Sequence, residues 1–426
     1  MNVQSWAPAT PIKVVCPRLR GRFLHFAIAC VALGMMIRLG NPNYQWSDLR
    51  SVPYGADFLQ EWVAGDMLLS GAGSKIYDPE VFSAWQHDSA RLGFVWPETD
   101  FYPAVYPPPY YCLVAPLAAL PYWFTVPLWL AIMLAAHAAT VWLIEQTSSQ
   151  QSSGAEKTFP IGFWCATLLF PALFMGLVMG QKGTFWCFVA VVSWQLWRMG
   201  KPFCAGCLWA LLSMKPTLCF LLPLVMLFNR QWRFSSGVMF GVVVLYGATA
   251  MVVPASLWSG FWEVMAGAAD YQSQGGYRSG WSVSLWSLLR ACECPRALAL
   301  CLWSLAAVIM FASLLKLPGA STEHKLRHPD FLLRVFLSTA LLSPHFYFYD
   351  LVWLLFPLRA MLNYEPRRVG IIMGALWLSV LAVQSSGHGW PLLSVTLLLI
   401  LLHSCLSVTN CGTSFAIGFR TLARSQ

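Results

Sequence analysis

Long apolar runs separated by short polar connections recur along almost the whole chain. A run of ~20 apolar residues crosses a bilayer core of ~30 Å, and backbone in lipid must satisfy its own polar groups, so each run predicts a transmembrane helix. Roughly 11–13 such helices are expected, making residues 1–426 a single all-α polytopic membrane domain. The first run, Phe23 to Ile37, follows Lys13, Arg18, Arg20 and Arg22, as a signal peptide would. No small-residue cleavage site follows it, so it reads as an anchor. Residues 41–107 are too polar to span and form a first extracytoplasmic loop with room for short interfacial helices. Residues 255–295 form a second. Between Tyr110 and Ile144 the apolar run is long for one helix and carries Pro116, Pro121 and Pro127, which predicts a short element before a full span. Thr147 to Gly154, rich in Ser and Gln, reads as a flexible cytoplasmic loop.

Charge orients this arrangement. Only 11% of residues are charged against 58% apolar, too little to cover a water-soluble chain of this length. The net charge of +9 arises from cations clustered in short connections: Arg198 and Lys201, Arg230 and Arg233, Lys316, Lys325 and Arg327, Arg359, Arg367 and Arg368, Arg420 and Arg424. That is a topology signal facing the cytoplasm, not a nucleic-acid groove. The alternate connections, at 180–183, 214–216, 255–295, 343–349 and 384–390, then converge on the outer face. A bacterial-type inner membrane is the expected location, with lipids as partners. The 22 Trp and 14 Tyr suit two lipid interfaces. Cys112, Cys165, Cys187, Cys204, Cys207 and Cys219 read as small buried apolar residues. Cys292 and Cys294 are placed to pair or react, without the further ligands a zinc site needs.

Candidate chemistry lies in the outer segments. Asp57 follows the first span closely enough to sit at the membrane surface, where a carboxylate can take a proton from an acceptor hydroxyl. A solvated loop acid or helix cap is the bland reading. Glu61, one helical turn on, faces the same side, whereas Asp66 points elsewhere and Asp78, before Pro79, suits a turn. Lys215, in Ser213-Met214-Lys215-Pro216, sits midway through an apolar stretch with basic ends, which predicts two short helices bent at an outer turn. A cation at membrane depth costs at least ~2.5 kcal/mol, so Lys215 either meets an anionic phosphate or snorkels. Gln181 and Lys182 occupy another outer bend under the same two readings. His345 could orient a phosphate or a sugar hydroxyl, or cap a helix, and Asp350 reads as the start of the next helix. In the loop from Asp270 to Trp281, Arg278 could clamp phosphate among glycines and aromatics, or simply be exposed.

The order of these motifs resembles glycosyltransferase family 87, polyprenyl-phosphate-mannose-dependent enzymes of the glycosyltransferase-C superfamily. The matching pieces are Asp57-Phe58 before Ala64-Gly65, Tyr77-Asp78-Pro79, Tyr106-Pro107-Pro108-Pro109, Gly180-Gln181, Ala205-Gly206 leading to Lys215-Pro216, Arg230-Gln231-Trp232-Arg233, and Ser343-Pro344-His345 before Tyr349-Asp350-Leu351. The chain departs from that pattern at Lys182, at Thr217 and in Trp281-Ser282-Val283-Ser284. The resemblance implies a glycosyltransferase-C-like bundle and an inverting transfer of a sugar, here mannose, from a polyprenyl-phosphate donor to a lipid-linked or glycan hydroxyl. Asp57 would be the base; Lys215, Arg278 and His345 would hold the donor phosphate; Glu61, Gln181, Lys182 and Tyr106 would contact substrate. No cofactor is called for, and a divalent metal is left open. No Gly-rich phosphate loop between strand and helix occurs. A transporter or flippase would use similar intramembrane charges but favours repeated halves, which are not evident here. A scaffold would not need polar bends from so many segments.

Overall fold

The computed structural model describes residues 55–96, 101–150, 161–168, 170–273, 282–315, 326, 328–362, 364–386 and 392–404. The first apolar run, Arg278 and Gly387 lie outside them. Among the described residues the fold is helical throughout, with one isolated antiparallel bridge between Ser282 and Tyr347. Among the described residues four helical stretches are long and apolar enough to cross a membrane: Tyr122–Gln146, Trp232–Val252, Arg296–Leu315 and Pro366–Val383. Shorter apolar helical stretches run over Pro202–Met214, Pro216–Phe228 and Leu392–Ser404. The protein is an all-α membrane protein.

Proline sets many of the starts. Helices Pro79–Gln86, Pro108–Ala118, Pro171–Val178, Pro202–Trp209 and Pro329–Leu342 begin on one, where its missing N–H would have no intrahelical partner anyway. The proline-rich run after Tyr106 divides as the sequence predicts, into Pro108–Ala118 and the long Tyr122–Gln150. The Thr125 hydroxyl lies 3.0–3.2 Å from the carbonyls of Leu117, Leu120 and Pro121, offering a donor at the break. The first loop folds as expected into short helices, Ala56–Leu69, Pro79–Gln86 and Ser89–Leu92. Asp78 caps the second by accepting from Val81 N–H.

The stretch around Lys215 is a helical hairpin. Trp209 Nε1 donates to Cys219 O across it at 2.9 Å, and Lys215 sits at the bend between Ala210–Met214 and Pro216–Cys219. Its rising arm runs parallel to Trp232–Val252, since Phe203 meets Gly237, Cys207 meets Gly241, and Tyr246 donates to Ser213 O. Small residues at 206 and 210, and at 237 and 241, let the two backbones touch. A Cβ on Gly206 would stand 2.1 Å from Phe234 O, and one on Gly237 2.2 Å from Phe203 O. Gly206→Ala is therefore expected to cost about 1–3 kcal/mol by overpacking and to lower the melting temperature. Thermal unfolding of the purified variant followed by size-exclusion chromatography reads this; an unchanged melting temperature would refute the close contact.

The opposite helix ends carry buried ion pairs. Arg359 reaches Glu145 with two nitrogens at 2.5 and 2.6 Å, and Trp164 Nε1 donates to the same carboxylate. Asp330 joins Arg334 and Arg368, each at 3.0 Å. Pairing offsets the desolvation of these charges. Apolar side chains such as Met239, Val243, Met251 and Ile309 cover the outside, the surface a lipid solvent requires. Cys187 and Cys219 are buried as expected, but Cys204 is exposed on this apolar exterior beside Phe203. Helix Pro202–Trp209 turns its small-residue face to its neighbour, which leaves Cys204 outward. Cys292 and Cys294 are both free thiols.

Candidate active site

The site begins at Gly55, whose left-handed backbone (φ 82°) turns the chain into helix Ala56–Leu69. Asp57 lies in its first turn, and its backbone N–H, without an intrahelical acceptor, donates to Met179 O at 3.0 Å. That ties the helix to the bend joining Pro171–Val178 to Gly183–Arg198. Gly180 closes the contact at φ 76°, where a Cβ would lie 2.9 Å from both Gly55 Cα and Phe58 Cβ. Trp129 donates from Nε1 to Gly180 O at 2.7 Å and stacks on Phe58, with ring centroids 4.6 Å apart. Tyr122 donates to Gly55 O. The long helix Tyr122–Gln150 thus clamps both partners.

On this frame Gln181 Nε2 donates to Asp57 Oδ2 at 2.7 Å, fixing a carboxylate that is 8% exposed. Asp57 and Glu61, at i and i+4, share a helix face. Glu61 is fully buried, paired with Lys182 and accepting from the Tyr110 hydroxyl. The Lys182 ammonium also sits 3.9 Å above the Tyr106 ring. Tyr106 is itself held through its carbonyl by the Tyr77 hydroxyl and through its N–H by the Tyr111 hydroxyl.

The other half comes from the hairpin bend. Lys215 Nζ lies 2.5 Å from Asp350 Oδ2. Asp350 begins the 3-10 helix Phe348–Leu354 in a capping arrangement with Tyr347, whose N–H donates to the same carboxylate. This turn rests on the Gln181 bend, because a Cβ on Gly183 would approach Tyr349 O to 3.3 Å. Val283 N–H donates to Phe346 O, fastening the second loop to it. Lys182 lies within electrostatic reach of Lys215, Asp57 and Asp350, so the two halves form one cluster. Burial first, and then the Lys215 charge, pushes the pKa of His345 below the usual imidazole range, so the ring is neutral at pH 7. Neutral imidazole both donates and accepts hydrogen bonds.

Of the residues singled out from sequence, Asp57, Glu61, Gln181, Lys182, Lys215, Tyr106 and His345 come together here. Asp350 and Tyr110 are the additions. Asp350 starts a helix, as its position suggests, and in addition pairs with Lys215. An acid within Phe348-Tyr349-Asp350-Leu351-Val352 is as costly in an apolar setting as a lysine, and that signal could have matched the two. The described cluster holds three acidic side chains, Asp57, Glu61 and Asp350, and two lysines, Lys182 and Lys215. Among the described residues no group of three or more His, Cys, Asp or Glu side chains is placed to hold a metal ion.

A sequence model of glycosyltransferase family 87 matches residues 104–344, more than half of the chain. The chain belongs to glycosyltransferase family 87. No curated protein and no solved structure matches it. In this family 87 glycosyltransferase the matched region contains Tyr106, Gln181, Lys182 and Lys215, whereas Asp57 and Glu61 precede it and His345 and Asp350 follow it. The first two join the cluster through hydrogen bonds to matched residues. Asp350 joins it through Lys215.

Proposed function

We propose that this enzyme transfers mannose, with inversion, from a polyprenyl-phosphate carrier to a hydroxyl of a lipid-linked or glycan acceptor on the extracytoplasmic face of a bacterial-type inner membrane. The observation that carries this reading is the buried Asp57 carboxylate, oriented by Gln181 in the first turn of helix Ala56–Leu69 and grouped with the Lys182–Glu61 and Lys215–Asp350 pairs. Asp57 accepts the proton as the acceptor oxygen bonds to the sugar's anomeric carbon. The bond from that carbon to the phosphate oxygen breaks, and its electron pair leaves on the phosphate. Lys215 stabilises the charge that develops there, with His345 donating a hydrogen bond and Arg278 closing over the phosphate. Tyr106, Glu61, Gln181 and Lys182 are the substrate-binding residues in this reading. The bundle in this reading is of the glycosyltransferase-C kind, with roughly 11–13 spans once broken and shorter helices are counted.

The direct test is turnover of radiolabelled polyprenyl-phosphate mannose by the purified protein, with stereochemistry of the product read by NMR. Hydrolysis or transfer with retention would reject the mechanism, and transport without turnover would reject the enzyme. Sidedness has its own test: cysteines at 57 and 387 are expected to label from outside, and those at 198, 230 and 367 from the cytoplasm. Labelling of position 57 from the cytoplasm would invert the arrangement.

A further inference from the structure

Helix Ala56–Leu69 has a second face that lines a cleft. Residues nine apart on a helix of 3.6 residues per turn lie about half a turn apart, so Asp66 points away from Asp57, displaced by ~14 Å along the axis. Trp62 and Asp66, at i and i+4, line an open cleft of about 440 Å³ whose other walls are Ser89–Leu92 and the break between Pro108–Ala118 and Tyr122–Gln150. Trp62 is fixed there by donating from Nε1 to Leu120 O at 3.0 Å. Arg91 bridges Asp66 at 3.0 Å and Asp88 at 3.1 Å, and its guanidinium lies 3.8 Å over the Trp85 ring. Those two bonds occupy two of the five N–H donors an arginine offers. Trp123 stands at the rim with 70% of its surface exposed.

The chemistry selects among ligands. Asp66 and Arg91 are the charged side chains of the lining and their charges cancel, which favours a neutral ligand over a phosphate. Carboxylate acceptors, spare guanidinium donors and a flat indole face together match a neutral sugar, whose hydroxyls both donate and accept and whose C–H face packs on an aromatic ring. Trp123 also lies at the end of Tyr122–Gln150 that meets the catalytic cluster through Trp129, so the cleft opens at the same end of the bundle.

We infer that this cleft is a second carbohydrate site, holding a distal neutral sugar of the acceptor glycan while its terminal hydroxyl reaches Asp57. The site rests on the glycosyltransferase reading, and it requires an acceptor of several sugar units, because one unit cannot span the helix. The experiment is calorimetric titration of the full-length protein in detergent with manno-oligosaccharides of one to five units. Arg91→Ala and Trp123→Ala are compared with wild type, and Trp123→Phe serves as the conservative variant. The pentasaccharide is expected to bind wild type more tightly than the monosaccharide, to lose about tenfold in affinity in both alanine variants, and to regain it in Trp123→Phe. Donor KM and kcat are expected to stay unchanged in all three. Equal pentasaccharide affinity in wild type and both alanine variants, or no oligosaccharide binding at all, overturns the proposal. So does a loss seen only with the same glycan on a lipid in nanodiscs, which would make the cleft a lipid surface. Wild-type protein that binds the pentasaccharide but transfers nothing from the polyprenyl donor would instead overturn the proposed reaction and leave the site standing.

Discussion

Asp57→Asn is expected to abolish transfer while the protein folds and binds donor as before. The amide keeps the shape of the carboxylate and can still present an oxygen to Gln181 Nε2, which now donates to Oδ2 at 2.7 Å. The backbone anchor from residue 57 to Met179 O does not involve the side chain at all. What disappears is the capacity to accept a proton, and the loss of general-base help is worth about 10²- to 10⁴-fold in rate. Single-turnover transfer with saturating donor measures this directly, with melting temperature as the control for folding. Near-wild-type turnover would remove Asp57 from the mechanism. Gln181→Leu gives a graded comparison: it leaves the base in place and releases its orientation, so kcat should fall by less than in Asp57→Asn.

Lys215→Met is the second large effect, and it has two components that must be separated. In the proposed reaction the lysine stabilises the leaving phosphate, and losing such a charged donor would cost about 10²- to 10³-fold in kcat. It also neutralises Asp350, which is only 2% exposed, and breaking a buried ion pair by removing one partner costs about 3–5 kcal/mol. The single variant is therefore expected to be both slower and less stable. In the double variant Lys215→Met with Asp350→Asn the unpaired charge is gone, and the asparagine can still accept from Tyr347 N–H. Stability should recover and transfer should not. Recovery of both in the double variant would mean that Lys215 serves the fold alone. Arg278→Ala should lower the rate with a smaller loss of donor affinity.

The sequence carried the class of the fold in its apolar runs, the helix starts in its prolines, and the hairpin in the single lysine midway through 202–228. Pairings across the bundle were out of reach. Lys182 finds Glu61 across 121 positions and Lys215 finds Asp350 across 135, and nothing local encodes which acid meets which cation. Asp57 and Glu61 were legible as neighbours because four residues is one helical turn. The contacts of Asp57 with Gln181 and of Glu61 with Lys182 depend instead on Gly55 and Gly180 allowing two backbones to meet, a fact of packing that shows only in three dimensions. Cys204 was misjudged for a related reason: in lipid an apolar run has two acceptable faces, and the run itself does not say which is outward.

The separation of Lys215 from Asp350 also bears on how the enzyme is made. During synthesis the hairpin bend is complete more than a hundred residues before its acid emerges, so for that interval the bend holds a lysine at a cost of at least ~2.5 kcal/mol if it is kept from water. Arrival of Phe348–Leu354 relieves that cost and joins the hairpin to the Gln181 bend in the same step. A nascent or truncated chain ending before Asp350 keeps Asp57 and the Lys182–Glu61 pair but leaves Lys215 without its acid. The proposed site is thus completed late, with the 3-10 helix Phe348–Leu354, and a prematurely terminated chain should be recognisable to the quality-control machinery of the membrane by the unmatched Lys215.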